Sequence, residues 1–482
     1  MSELSFCRGD GIRFLLLVLV ALALAGCGIP DRNTKEPDQI LPQQFASGQA
    51  TQKNSAEEPW RVFFKDPELI DLIDRAVSNN KDVRIMMQRI SAAENQIQSR
   101  RGAYLPFVRG GAGIGAEKPG EYTFNGSVER YLPLDGQAFP SFVPNYSFGL
   151  VSSWEIDIWR KLRNATEVAM FDYMATVEGM NFLVTNLVAE VAHAYYELRT
   201  LDNQLKNLDD NLALQENALG MVTELQRYAR ADMLAVRRYE AEVRKNRGRR
   251  FEISQQITVL ENRLCFLMGV TPRPIQRSHR DFLEEDPGLV EIGRPAALLR
   301  HRADVREAEF KLKSTGLNIE VARAEFLPSF GIRAGIGYES FALKYLVNTP
   351  ESLAAMVAGE LVAPLINRMA IEAAYKNANL AQIEAAYDYE KTLLNAFIEV
   401  ENQRANLENM RQSFLQRKAQ VDHLVNAIGI AMELFKSART QYLDVLTTQR
   451  DALDGRKELI ETRQRQFMAR VDLYRALGGG WQ

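Results

Sequence analysis

The sequence predicts a mainly α-helical chain with a small membrane β part: duplicated long coiled-coil helices joined to four β-strands. Three observations predict it. The chain of 482 residues is written twice, because RGAYLPFVRGGAGIG from Arg101 reappears without a gap as RAEFLPSFGIRAGIG from Arg323. Long proline-free stretches carry apolar residues at a 3.5-residue period. Short segments before and between them alternate apolar and polar residues at a period of two.

The duplication has two registers. At an offset of 222 (323 less 101), Asp82-Val83-Arg84 matches Asp304-Val305-Arg306. At an offset of 209, Glu190-Val191 matches Glu399-Val400, Leu198 matches Leu407 and Gly269 matches Gly478. Copies of about 200 residues are too long for solenoid units, whose periods run about 20–50 residues. They read as two equivalent halves of one body, so function should respect a pseudo-twofold arrangement.

The N-terminus carries an address. Arg8 and Arg13 precede an apolar run from Phe14 to Ala25. That run is shorter than the about 20 residues a bilayer span needs, so residues 1–26 read as a signal peptide. Leu24-Ala25-Gly26-Cys27 resembles the bacterial lipobox, which makes Cys27 the lipid-modified first residue of the mature chain. Residue 28 is Gly rather than an inner-membrane-retaining Asp, which points to the outer membrane. With Cys7 removed and Cys27 acylated, only Cys265 remains, too few for an intramolecular disulfide. Its setting, Leu264-Cys265-Phe266-Leu267, suits a small core residue.

The helices come next. No proline occurs between Pro144 and Pro272 or after Pro364, which suits very long helices. Val184, Leu187, Val191, Ala194, Leu198, Leu201, Leu205, Leu208 and Leu212 alternate spacings of three and four. After a skip at Gln215, Leu219 and Val222 continue the seam of a coiled coil. Ile253, Ile257, Leu260, Leu264 and Leu267 repeat it, as do Leu407, Met410, Phe414, Val421, Leu424, Ile428 and Ala431. A helix over 159–226 would be on the order of 100 Å long at about 1.5 Å per residue.

Four segments read as strands. In 146–158, Tyr146, Phe148, Leu150, Ser152, Trp154, Ile156 and Ile158 share one face, while Ser147, Gly149, Val151, Ser153, Glu155 and Asp157 share the other. In 330–338, Phe330, Ile332, Ala334, Ile336 and Tyr338 alternate with Gly331, Arg333, Gly335 and Gly337. Residues 107–116 and 352–363 give weaker copies. This is the pattern of membrane β-barrel strands. Four strands cannot close such a barrel, which takes about eight at least, and open edges cannot face lipid. Several chains must therefore share one barrel in a cyclic oligomer. Between the first two strands, residues 117–145 hold Pro119, Gly120, Gly126, Pro133, Gly136, Pro140 and Pro144, so the first hairpin loop is expected to be the longer.

Composition excludes other functions. A formal net charge of −3 gives no sign of nucleic-acid binding. His193, His279, His301 and His423 lack a second His or Cys at metal-ligand spacing, so no metal site and no cofactor is expected. The Met86-Met87 pair has no companion methionine cluster, and Asn164-Ala165-Thr166 has no role as a sequon in a bacterial-type lipoprotein. Gly111-Ala112-Gly113-Ile114-Gly115 lies in a strand pattern with no βαβ unit, which disfavours a dinucleotide loop. Nothing argues for an enzyme.

A family resemblance rests on several motifs in order: Trp60, Phe64-Lys65-Asp66-Pro67, Leu69-Ile70-Asp71-Leu72-Ile73 and Asn80-Lys81-Asp82-Val83-Arg84. To these add Tyr104-Leu105-Pro106 with its repeat Phe326-Leu327-Pro328, the segment WEIDIWRKLR from Trp154, and LYRALGGGW from Leu473. From Cys27 to Gln482 the chain resembles outer-membrane efflux lipoproteins of the TolC/OprM/NodT type. The family usually has a glycine-containing turn after the second hairpin, where this chain has Leu365-Ile366-Asn367-Arg368-Met369-Ala370.

The resemblance implies a homotrimer whose twelve strands close one transmembrane β-barrel above a periplasmic α-barrel of long helices. It divides the chain into a lipid-anchored linker (27–66), a first repeat (67–269), an equatorial segment (270–297) and a second repeat (298–482). It implies a passive outer-membrane exit channel for small molecules such as drugs, working with a periplasmic adaptor (membrane-fusion) protein and an inner-membrane transporter. The alternatives are a type I protein-secretion duct and a non-channel coiled-coil adaptor lipoprotein. It also implies a gate at the periplasmic tip. Asp444 matches an inward-facing acid of the family, Thr447 stands where some members have a second, and Leu443 matches an apolar constriction residue. Ala438 replaces the turn glycine, Thr440 stands at the family's linking arginine and Arg439 precedes it. The other reading of Asp444 is an acid favoured by the dipole of a helix start.

Overall fold

A computed structural model describes residues 28–38, 41–45, 53–131, 142–437 and 439–481. The expected signal peptide and the expected anchor Cys27 lie outside these residues, as does Ala438. The elements used below are α1 (Pro67–Asn79), α2 (Lys81–Tyr104), β1 (Phe107–Glu117), β2 (Val143–Ile156), α3 (Lys161–Arg227) and α4 (Met233–Leu267). They continue with α5 (Ala303–Ala324), β3 (Ser329–Ser340), β4 (Leu353–Val362), α6 (Met369–Lys436) and α7 (Tyr442–Ala476). The order after α1 is helix, hairpin, long helix, shorter helix, then the same again, so the written duplication is a structural one.

The chain divides into two compact units that do not follow the two repeats. One comprises 1–36, 92–173 and 310–386, the other 37–91, 174–309 and 387–482, so each draws on both repeats. All four dividing points in the two repeats fall inside helices, at 91/92 in α2, 173/174 in α3, 309/310 in α5 and 386/387 in α6.

The first unit holds one antiparallel sheet in the order β1-β2-β3-β4. β1 and β4 are its edges, and neither has a further partner among the described residues. Val143 follows Glu117 after 25 residues, whereas Leu353 follows Ser340 after 12, so the first hairpin connection is the longer by 13. That equals the step between the two repeat registers, 222 less 209. β2 gives way to α3 at Asp157, a buried residue whose carboxylate accepts from the backbone N–H groups of Leu162 and Arg163, both at 3.0 Å. Burial alone would raise this carboxyl's pKa, but those two N–H groups and the Arg163 guanidinium outweigh it and hold the pKa below its ordinary value. The chain turns into α3 through Arg160 (φ 61°), and into α6 through Asn367 (φ 59°). Asn367 thus takes the left-handed position for which the expected turn has glycine. Asparagine is among the few other residues that tolerate it. A small core of Ile319, Phe326, Tyr375 and Ala378 lies beneath.

The second unit holds the coiled coils. Val184, Leu187, Val191, Leu198, Leu201, Leu208 and Leu212 of the α3 seam are all buried. The skip at Gln215 has a physical cause: Gln215 is fully buried and accepts from Asn246 Nδ2 of α4 at 2.9 Å. A buried amide pair there fixes register between helices at some cost in stability. The main core joins Trp60, Phe63, Phe64, Leu69 and Ile73 to α3, α4 and α7. The segment 270–297 is tied to it through charges. Arg199 of α3, 2% exposed, donates to Glu285 at 2.7 Å and to the Arg280 carbonyl at 3.1 Å.

The duplication is also legible in one joint. Gly269 and Gly478, paired at offset 209, both follow a helix with positive φ (66° and 93°). A Cβ on Gly269 would lie 2.7 Å from the Asn79 carbonyl oxygen, and one on Gly478 2.5 Å from that of His301. Beside them Asn80 Nδ2 donates to the Leu267 carbonyl and Arg302 Nη1 to that of Ala476, each at 2.9 Å. Asn80 and Arg302 are themselves paired at offset 222.

Candidate transport path

Two places hold the candidate residues, the sheet of the first unit and the turn between α6 and α7 in the second. Strand register sorts the sheet residues into two faces. Across one face run Val108, Ser152, Ala334 and Val357, then Ala112, Phe148, Tyr338 and Leu353. Across the other run Arg109, Val151, Gly335 and Met356, then Gly111, Gly149, Gly337 and Ala354. The first face is apolar apart from a few small polar residues, and many of its side chains are exposed, with Ile114 at 84% and Val357 at 83%. A soluble protein would hide such a face, and lipid is the solvent it suits. The second face carries the charges, among them Arg333, which pairs with Glu360 at 3.0 Å. No helix among the described residues is long and apolar enough to cross a membrane.

At the other set of candidate residues, α7 opens with Tyr442, so Leu443, Asp444 and Thr447 all lie in its first turns. Leu443 is 39% exposed, and Asp444, Thr447 and Arg439 are exposed too. The backbone N–H of Arg439 donates to Leu434, ending α6. Asp444 Oδ2 accepts from the Gln441 N–H at 3.3 Å and from the Thr440 hydroxyl. With Gln441 reciprocating, this is a capping box. The helix-start role of Asp444 is therefore real, and it leaves the carboxylate at the surface. Thr440, at the expected linking-arginine position, donates within its own turn to Asp444. Thr447 donates to the Leu443 carbonyl at 2.8 Å.

The paired turn between α3 and α4 has Asp232 as N-cap, accepting from Ala235 at 2.7 Å, and Asp232 is matched with Gln441 at offset 209. Sequence reasoning missed Asp232, although that offset marks it. Beneath the turns, Val222, Val236 and Tyr239 pack with Phe435, Tyr442 and Leu446. Burial, with Tyr442 adding to it, pushes the Tyr239 hydroxyl up to about 12.

The N-terminal segment runs along α6. Lys35 exchanges two bonds with the Gln382 side chain (2.9 and 2.8 Å), and the Asn33 N–H donates to Asn379 Oδ1 at 3.0 Å. Gly28, the first described residue, accepts from Arg368 at 3.5 Å. Among the described residues no group of three His, Cys, Asp or Glu is placed to hold a metal ion.

Comparison with known proteins agrees with this arrangement. The family of outer membrane efflux proteins matches residues 72–270 and 295–479. The toluene efflux pump outer membrane protein TtgF of Pseudomonas putida is 29% identical over 97% of this chain and 96% of its own length. The cation efflux system protein CusC of Escherichia coli O6:H1 is 26% identical over 97% of this chain and 99% of its own. The open-state crystal structure of the Neisseria gonorrhoeae MtrE outer membrane channel superposes with a TM-score of 0.82 at 22% identity, covering 94% of this chain and 98% of that one.

Proposed function

The chain belongs to the outer membrane efflux protein family, and from that premise we propose that it is the exit duct of a tripartite pump, assembled as a homotrimer. The observation that carries this reading is the four-stranded sheet with two unpaired edges, one apolar face and one charged face. Lipid tolerates no open edge. Three copies supply twelve strands, enough to close a barrel with an aqueous interior. A periplasmic adaptor and an inner-membrane transporter supply the cargo and the energy, and the duct performs no covalent chemistry. The relatives' names specify toluene in one case and a cation in another. That spread suits a duct whose cargo, small molecules such as drugs, is chosen by its inner-membrane partner. Purified protein should run as a heat-resistant trimer and conduct ions in planar bilayers. A protein that stays monomeric and non-conducting, and leaves the membrane once its lipid is removed, would overturn the reading.

Two site assignments belong to it. Cys27 is the lipid anchor, and Cys27→Ala should abolish metabolic lipid labelling. A barrel already closed in the bilayer is held by its own apolar band, so insertion should survive the loss of the anchor. Leu443, Asp444, Thr447 and Arg439 form the gate at the periplasmic tip. Three Asp444 carboxylates around one axis favour cations and bind multivalent ones. Asp444→Ala should therefore weaken block by multivalent cations. Unchanged block would leave Asp444 with its capping role alone.

A further inference from the structure

The duplication leaves one helix face covered in the first copy and bare in the second. At offset 209, α3 (Lys161–Arg227) falls on α6 (Met369–Lys436) to within one residue, and α4 (Met233–Leu267) falls on α7 (Tyr442–Ala476) end for end. Within the chain the two helix pairs meet where α3 packs on α7. Asn207 Nδ2 donates to the Leu453 carbonyl at 3.3 Å, and Asn211 Nδ2 to that of Gln449 at 3.5 Å. Gln204 Nε2 donates to the Glu461 carboxylate at 3.2 Å, and the Arg249 guanidinium of α4 stands 3.8 Å from Asp454 of α7. This joint buries its members. Asn207 and Asn211 are 8% and 6% exposed, and Gln449 and Leu453 are 1% and 6% exposed.

The equivalent faces of α6 and α4 are uncovered. Asn207 and Asn211 fall on Gln416 and Gln420 of α6, both exposed. Leu453 falls on Arg244 of α4, also exposed, and Gln449 falls on the half-buried Glu240. Each of the four contacts has a chemically matched counterpart. The two asparagine amides become glutamine amides, which can donate to the backbone carbonyls of Arg244 and Glu240. Gln204 and Glu461 become Ser413 and Glu252, again a donor and a carboxylate. Arg249 and Asp454 become Glu458 and Lys245, the same two charges with the signs exchanged. Lys245 and Glu458 are more than half exposed, each with a partner on its own chain, Glu242 and Arg417 respectively. An ammonium and a carboxylate both have room for a second partner.

We propose that these two faces cover each other between copies of the chain: α6 of one copy packs on α4 of the next, in the register that α3 and α7 hold within the chain. The inference rests on the homotrimer reading and deepens it by naming the joint. A closed ring of identical chains joins them head to tail. The step that carries α3 and α4 onto α6 and α7 then carries α6 and α7 onto α3 and α4 of the next copy. Joints within and between chains alternate round the ring as near-equivalents. They differ in polarity. Where the internal joint holds Leu453, packed with Leu201 and Leu208, the joint between chains holds Arg244. Beside it Glu458 of one copy pairs with Lys245 of its neighbour. The joint between chains is therefore the more sensitive to salt.

The test is disulfide cross-linking of the full chain in outer-membrane extracts. Gln420→Cys with Glu240→Cys in one variant, and Lys245→Cys with Glu458→Cys in another, should each give covalent dimers and trimers after oxidation and boiling without reductant. Wild type should give none, because Cys265 is buried. Gln420→Cys with Phe251→Cys should also give none. Phe251 is exposed but lies about 16 Å further along α4, at about 1.5 Å per residue. A charge exchange reads the ion pair without any new thiol. Lys245→Glu and Glu458→Lys should each lower the fraction of trimer surviving a fixed heat step about twofold at low salt, and the double variant should restore it. A trimer in which neither cysteine pair links, and in which the double exchange survives no better than the single ones, would overturn the inference alone. Links to a different polypeptide in place of a second copy would overturn it too, by making these faces a partner's dock. A chain that stays monomeric would overturn the homotrimer reading as well.

Discussion

Asp157 joins strand to helix through one carboxylate, and that role makes it testable. Its side chain is 1% exposed and satisfies two orphan N–H groups at the start of α3. Asp157→Ala should cost about 1–2 kcal/mol, the range for a lost N-cap, read as a lower denaturation midpoint. The carboxyl's pKa in the folded chain lies below the ordinary 3.8. Its contribution is therefore complete above about pH 4 and is lost as pH falls through the lower folded value. The gap between wild type and variant should be full at pH 7 and shrink in strong acid; a gap independent of pH would remove the charge from the explanation. The glycines give a second residue-scale contrast. Gly478→Ala meets backbone at 2.5 Å with φ at 93° and should destabilise. Gly429→Ala, inside α6 with nothing within 4 Å, should stabilise by about 0.5–1 kcal/mol. The offset that pairs Gly269 with Gly478 is plain in the sequence. The reason only glycine fits at both is not, because the clashing carbonyls come from Asn79 and His301, far along the chain.

At the scale of elements, the two helix joints share one geometry and differ in charge. Asn80 meets Leu267 as a neutral amide. Arg302 meets Ala476 as a cation and also bonds Asp304 and Glu399. Asn80→Ala should cost about 1 kcal/mol, one hydrogen bond's worth. Arg302→Met should cost about 2 kcal/mol or more, short of the loss in a fully buried pair, because Glu399 is 29% exposed and keeps Arg475 as a partner. Equal midpoints for the two variants would mean that the charges add nothing. The long helices were legible from their 3.5-residue seam, and the seam residues of α3 are buried apart from Leu205 and Leu219, which are half-buried. The break at Gln215 was visible as a skip, but its partner Asn246 belongs to another helix and only packing reveals it.

For the whole molecule, the decisive property is the open sheet, which assembly must close. Val357 and Ala358 are neighbours in β4 on opposite faces. Val357→Lys puts a charge on the lipid face, costing about 2–4 kcal/mol near mid-bilayer, and should lower the yield of heat-resistant trimer in outer-membrane extracts. Ala358→Lys faces the charged side and should leave that yield intact. Equal yields would contradict the facial assignment. The sequence by itself determined the duplication, the long helices, the four strands with the residues on each face of two of them, and the need for several chains. All of these follow from periodicity or from counting strands, and a periodicity is carried by residues close together in the chain. Only the tertiary structure decided which amide partners Gln215, why Asn367 serves where glycine was expected, that Asp444 is held in a capping box, and that the compact units cut across the repeats. Each of these depends on backbone geometry or on contacts between residues that no local pattern links.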